Sequence, residues 1–227
     1  MKFFSFFGRK KLHLIGDSHV EPLVDLNKWM RRVEISMCRV PGATASGLQN
    51  PHSKTLAGPI FHEYIRQKIQ PGDNVLIHLG EVDCGFLMWV RAEREQISIE
   101  AQTEHTLNNY FDLLGQIAAK TPNIYVLSIL PQTIRDGVKI GNVANLRGHI
   151  NATQLERTLL SRKMNSRLKN YCRENGMVFI DLDPVLISSE TGVVNEYYLN
   201  KDPDNHHLDG EKLTALVLTW LRKYKLK

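Results

Sequence analysis

Short apolar runs and helix-period stripes alternate along this 227-residue chain. Leu12 to Ile15 is a run of strand length that stops at Gly16, and Val20, Leu23 and Val24 then recur at helical spacing. A second extended run, Val33 to Val40, ends in Pro41 and Gly42, and a loop rich in small residues follows as far as Gly58. Ile60, Phe61, Tyr64, Ile65 and Ile69 predict a helix that Pro71 ends, and Val75 to Leu79 reads as a buried strand stopping at Gly80. The clearest helical stripe is Leu107, Tyr110, Phe111, Leu114, Ile117 and Ala118, all on one face. Ile124 to Leu130 is the next strand, and Thr133 to Ile150 is loop-like. A helix through Leu160, Met164, Leu168 and Cys172 runs towards Gly176, and Met177 to Leu182 is a fifth strand. Ser188 to Asn200 reads as a hairpin or irregular loop, before a last helix with Leu213, Leu216, Val217, Trp220 and Leu221 on one face.

Strands that alternate with amphipathic helices imply a parallel sheet, because parallel neighbours need long crossovers and helices supply them. The expected fold is therefore a three-layer α/β/α sandwich, with one domain over residues 12–227 behind a short apolar and basic segment, residues 1–11. In such sheets ligands bind beyond the carboxyl ends of the strands. Gly16-Asp17-Ser18-His19, Pro41-Gly42-Ala43-Thr44 and Gly80-Glu81-Val82-Asp83 each follow a predicted strand.

Composition narrows the class. No apolar stretch reaches the eighteen or so residues of a membrane span, and in Met1 to Lys11 the basic residues follow Phe3, Phe4, Phe6 and Phe7, the reverse of a secretion signal. Three cysteines, Cys38, Cys84 and Cys172, are an odd number in a chain too large to need staples, which predicts reduced thiols and a cytoplasmic setting. The net charge of +5 suits acidic partners, but no interleaving of aromatic and basic residues points to nucleic acid. Charge concentrates in Arg9 to Lys11 and in Arg222, Lys223, Lys225 and Lys227. Helices antiparallel to the strands would bring both groups to the pole opposite the active site. With the four phenylalanines beside it, that pole is a candidate for peripheral membrane or protein contact.

The candidate chemistry lies in the strand-end turns and near the last helix. Ser18, in a strand-to-helix turn, can present its hydroxyl beside free backbone N–H groups, or it can simply cap the helix. A serine nucleophile needs a base, and Asp204, three residues before His207, is placed to fix that imidazole's tautomer. A competing reading makes Asp202, Asp204, His206, His207 and Asp209 metal ligands, but neither a zinc spacing nor a cysteine pair accompanies them. No metal and no cofactor are expected. Asp17 and Asp83 read as braces, Cys84 as a buried thiol, and His13, His19 and His78 as structural histidines.

Taken together, these blocks resemble the SGNH or GDSL hydrolases, a superfamily of serine esterases and lipases, over nearly the whole chain. Gly16-Asp17-Ser18 is similar to the first block, whose serine is the nucleophile. Gly42 is similar to the glycine whose N–H joins that of the serine, here Ser18, in the oxyanion hole, and Asp204 and His207 match the D-x-x-H block that supplies acid and base. The resemblance implies a flavodoxin-like parallel sheet of five strands and ester hydrolysis. Gly80 to Asp83 departs from the usual G-x-N-D block, since Val82 stands where an asparagine would donate to the oxyanion. Trp89, Arg91, Gln49 and Asn50 are the nearby candidates to replace it. The polar loop from Thr44 to Lys54 and the basic loop from Arg135 to Arg147 suit a small acyl group on a polar carrier, so deacetylation of a carbohydrate is the expected reaction. Acetyl transfer to a polysaccharide and a non-catalytic binding module are the alternatives.

Overall fold

The computed structural model describes residues 10–137, 150–224 and 226. Phe3 to Phe7, most of the Arg135 to Arg147 loop, Lys225 and Lys227 lie outside them. Strand β1 (Lys10–Gly16) leads through a 3-10 helix (Ser18–Asp25) and the short α1 (Leu26–Trp29) to β2 (Val33–Arg39). Then come α2 (Ala57–Lys68), β3 (Asn74–His78), a π-helical turn (Asp83–Leu87) that runs into α3 (Met88–Glu95), α4 (Ile99–Ala118) and β4 (Asn123–Leu127). The chain ends with α5 (Gln154–Glu174), β5 (Val178–Ile180), the short α6 (Asp183–Leu186) and α7 (Gly210–Lys223). Lys10 and Lys11, expected in the leading segment, are part of β1. Ser188 to Asn200 is irregular, held by an antiparallel bridge between Ile187 and Val194 and a 3-10 turn at Glu196–Tyr198.

All four strand pairings are parallel, in the order β2-β1-β3-β4-β5. This is the flavodoxin-like arrangement, as expected. Alternate strand residues separate two cores. Ile15, Val75, Ile77 and Val126 pack with Phe61 of α2, Tyr110 and Leu114 of α4, and Met164 and Leu168 of α5. Leu12, Leu14, Leu76 and Leu127 pack with Leu23 and with Leu213, Val217 and Leu221 of α7. Burial of each such leucine, valine or phenylalanine contributes about 1.5–3 kcal/mol, so both faces of the sheet must be covered. In α4 the stripe is buried at Leu107, Tyr110, Leu114 and Ile117, while Ala118 is exposed. The helix starts where Ser98 Oγ accepts from the Ala101 N–H, and α5 starts on a reciprocal cap between Thr153 and Glu156.

The loop after β2 is fixed by close approach. A β-carbon on Gly58, in the first turn of α2, would lie 1.9 Å from the Leu48 carbonyl oxygen. By contrast, Gly115 inside α4 has nothing within 4 Å of that position. Gly58→Ala is therefore expected to cost about 1–3 kcal/mol or more through overpacking. Gly115→Ala should stabilise by up to about 1 kcal/mol through helix propensity. Urea midpoints at unchanged m-value, moving in opposite directions, would bear this out; equal shifts would contradict the packing of Gly58 on Leu48.

Candidate active site

Ser18 sits where β1 meets the 3-10 helix, and the turn is tight because nothing larger than glycine fits at Gly16. A β-carbon there would lie 2.2 Å from the His78 carbonyl oxygen. Asp17 caps the helix: its Oδ1 accepts from the His19 N–H at 2.9 Å. The half-buried Ser18 side chain is thereby turned out above the sheet. From 189 positions along the chain, His207 Nε2 approaches Ser18 Oγ to 2.8 Å.

His207 lies in a loop anchored by a bridge between Leu199 and Leu208, by Thr133 Oγ1 donating to the His206 carbonyl, and by Asp209 capping α7. Its Nδ1 is 2.9 Å from Asn205 Oδ1, which also accepts the His207 backbone N–H at 3.0 Å. Because that oxygen already accepts from a backbone donor, it faces the ring as an acceptor. The proton is then on Nδ1, leaving Nε2 bare towards the serine. Burial, with the nearby His19 and His206 imidazoles, pushes the His207 pKa down to about 4. The ring is therefore neutral, and able to take a proton, at pH 7.

The structure does not bring Asp204 to His207. Among the described residues no hydrogen bond or ion pair joins its carboxylate to that ring, and Asp204 is exposed, its N–H donating to Asp202 Oδ1 at 3.0 Å. The reason is local. Asn200, Asp202 and Asn205 each accept from the N–H two residues on, a succession of Asx turns. In that geometry the residue at i−2, not i−3, reaches both the backbone and the ring of His207. Asp209, one of the candidate metal ligands, is occupied as the cap of α7.

Asp83 is fully buried and accepts from the N–H groups of Ala45 at 2.7 Å and Ser46 at 3.0 Å. Burial raises its pKa despite those bonds. It thus braces the loop that carries Gly42, rather than the Ser18 turn. Gly42 has φ +71° and is exposed, with its backbone open to a ligand. Gly80 has φ +109°, and a β-carbon there would lie 2.7 Å from Ile129 Cδ1. It lets the end of β3 pack against the chain after β4.

Of the candidates to replace the missing asparagine at Val82, Trp89 Nε1 donates to the Cys84 carbonyl at 2.7 Å. Gln49 bonds Asp112, and Asn50 Oδ1 accepts from the His52 N–H. Arg91 lies near enough to Asp83 to favour its charged form. Cys38, Cys84 and Cys172 are all free and buried, and burial pushes the Cys38 thiol up to about 11 and that of Cys172 to about 12. Cys84 Sγ lies against Met164 Sδ at 3.3 Å, its thiol also raised by burial.

Beneath Ser18, Asp17, expected as a brace, and His19 and His78, expected as separate structural histidines, come together. His19 Nδ1 is 3.0 Å and His78 Nδ1 3.4 Å from Asp17 Oδ1, and His19 Nε2 is 3.8 Å from Glu81 Oε2. All four side chains are buried. Burial alone would raise the Asp17 pKa, but the two imidazoles hold it far below the usual carboxylate range. The His19 ring centre is 4.7 Å from that of His207. His13, by contrast, is satisfied by Tyr64 at 2.9 Å and Asp73 at 3.0 Å, as a structural histidine should be.

No protein-family model and no curated protein matches the sequence. Solved structures do. A GDSL-like lipase from Bacteroides thetaiotaomicron superposes with a TM-score of 0.60 at 16% identity, over 95% of this chain and 89% of its own. A catalytic mutant of an acetylxylan esterase from Geobacillus stearothermophilus gives 0.56 at 14% identity, over 96% and 95%. Phospholipase A1 from Streptomyces albidoflavus gives 0.54 at 13% identity, over 95% and 99%. Sheet order, helix layers and coverage together place this chain in the SGNH (GDSL-type) hydrolase fold.

Proposed function

We propose that the chain is a carboxylic ester hydrolase with Ser18 as nucleophile and His207 as base. The observation that carries this reading is the 2.8 Å contact between Ser18 Oγ and a bare His207 Nε2. In the first step His207 takes the serine proton while Oγ attacks the ester carbonyl. The oxyanion forms beside the free N–H of Ser18 at the start of its helix and the open backbone of Gly42. His207 then returns the proton to the departing alcohol, and water releases the acyl group by the same steps reversed in role. Asn205, not Asp204, orients the base. Being neutral, it fixes the tautomer without adding a charge to stabilise the imidazolium.

For the substrate we favour a small acyl group, acetyl above all, on a carbohydrate or other polar carrier. The exposed polar surface around Gly42, Gln49 and Asn50 and the esterase neighbour acting on acetylxylan support this choice. A second reading, a binding module with little turnover, is favoured by Val82, since loss of one oxyanion donor typically costs about a hundredfold to a thousandfold.

The pole opposite Ser18 supports a peripheral docking role. Lys10 Nζ, at the start of β1, donates to the carbonyl of Leu226, three residues past the end of α7, at 2.6 Å. Lys28, Arg31, Arg32 and Arg222 surround Trp29, which is 64% exposed. Among the described residues no helix is long and apolar enough to cross a membrane. Cations around an exposed indole suit an anionic lipid surface, each contributing about 1 kcal/mol near it.

Four outcomes follow. Hydrolysis of p-nitrophenyl acetate should fall to background in Ser18→Ala and in His207→Ala, whereas a wild type already at background would favour the binding module. Asn205→Ala should lower kcat/KM by about tenfold or more, while Asp204→Ala stays within about twofold; the reverse ranking would restore Asp204 as the acid. Because the base must be unprotonated and its pKa is lowered to about 4, kcat/KM should hold down to about pH 5, rather than halve near the ordinary histidine value of about 6.5. For the pole, co-sedimentation with vesicles containing phosphatidylglycerol should drop in the Trp29→Ala, Arg31→Glu, Arg32→Glu triple variant. Equal binding by that variant would remove the docking role.

A further inference from the structure

We propose that Asp17, His19 and His78 form a binding site for a divalent transition-metal ion of the borderline class that zinc and cobalt represent. One ligand atom from each of the three lies within 4.8 Å of the others, and all three side chains are buried. The same Asp17 oxygen is 3.0 Å from His19 Nδ1 and 3.4 Å from His78 Nδ1. With metal–ligand bonds of about 2.0–2.1 Å, the edge of a tetrahedron is roughly 3.3–3.4 Å. The two spacings to Asp17 are thus within a few tenths of an ångström of that edge, and the third, between the imidazoles, is no more than 4.8 Å.

A purely hydrogen-bonded cluster accounts for His19, whose ring and backbone both meet Asp17, but not for His78. That imidazole is 0% exposed, yet neither ring nitrogen has a hydrogen-bond partner, and Asp17 Oδ2 has none either. Buried polar atoms without partners are costly and rare. A cation held by the Asp17 carboxylate would give a nitrogen of His78 the partner it lacks.

The framework suits such a site. Asp17 and His19 flank Ser18 directly after β1, and His78 is the last residue of β3, paired in register with Gly16. Two adjacent strand ends thus hold the ligands, and no ligand belongs to an exposed loop. Two imidazoles and one carboxylate select nitrogen-seeking ions over magnesium or calcium, which take oxygen ligands. Glu81 adds the usual outer partner: its carboxylate faces His19 Nε2, the nitrogen that a metal on Nδ1 leaves over. Neither Ser18 nor His207 is a ligand, so the site stands apart from the hydrolase reading. Its effect would be to tie β1 to β3 under the Ser18 turn.

The test uses the full chain made without a polyhistidine tag, refolded in the presence and absence of cobalt(II). About one cobalt per chain, with the visible absorption of a four-coordinate nitrogen and oxygen site and a raised melting temperature, is expected. His78→Gln and His19→Gln, each checked for a native far-ultraviolet circular dichroism spectrum, should each lose that absorption. His206→Ala with His207→Ala, which removes the two neighbouring half-buried histidines, should keep it. Absence of stoichiometric cobalt in the wild type would overturn the proposal. So would absorption that survives both glutamine variants and disappears with the His206 and His207 pair. Should either glutamine variant not fold, Asp17→Asn with the wild-type cobalt stoichiometry gives the same decision.

Discussion

Parallel strands cannot be joined by tight turns, and both faces of such a sheet must be covered. In this chain that constraint determines almost everything else. It forces every crossover to leave from the same edge of the sheet, so the residues that follow β1, β2 and β3 gather above one end. Ser18, Gly42 and Gly80 are far apart in sequence, yet each comes just after a strand. His207 arrives from before the last helix, held there because α7 packs Leu213, Val217 and Leu221 on the face that β1 and β3 present. The contact between Ser18 and His207 is thus a consequence of sheet order.

Under the serine the protein places an unusual amount of polar material out of water. Asp17, His19, His78, Glu81 and Asp83 are all buried around the first and third turns. Such groups are costly unless they satisfy one another. Asp83 is used up on two loop N–H groups, and Asp17 on the helix start and His19. Gly16 and Gly80 supply the room, since the first admits the His78 carbonyl and the second admits Ile129.

The sheet was legible in the sequence because its strands are short, apolar and punctuated by glycine, and because the stripe of α4 keeps one period for about three turns. Other features carried no such signal. The π-turn and α3, from Asp83 to Glu95, mix charge with apolar residues, so no stripe marks them. Asp204 was the natural partner for His207 at helical spacing, but the segment is a run of Asx turns, and those favour Asn205. His19 and His78 looked like lone structural histidines because sequence separation hides the register that pairs Gly16 with His78. The replacement for asparagine at Val82 was not legible either, and Trp89 and Gln49 have commitments elsewhere.

The central claim is that His207 makes Ser18 a nucleophile despite the distance between them in the chain. A fluorophosphonate reacts covalently only with such an activated hydroxyl, so peptide mass mapping after labelling tests it most directly. The account predicts one adduct per chain, on Ser18, absent in His207→Ala and retained in Asp204→Ala. An unlabelled wild-type chain, or labelling at Ser18 that persists without His207, would contradict it.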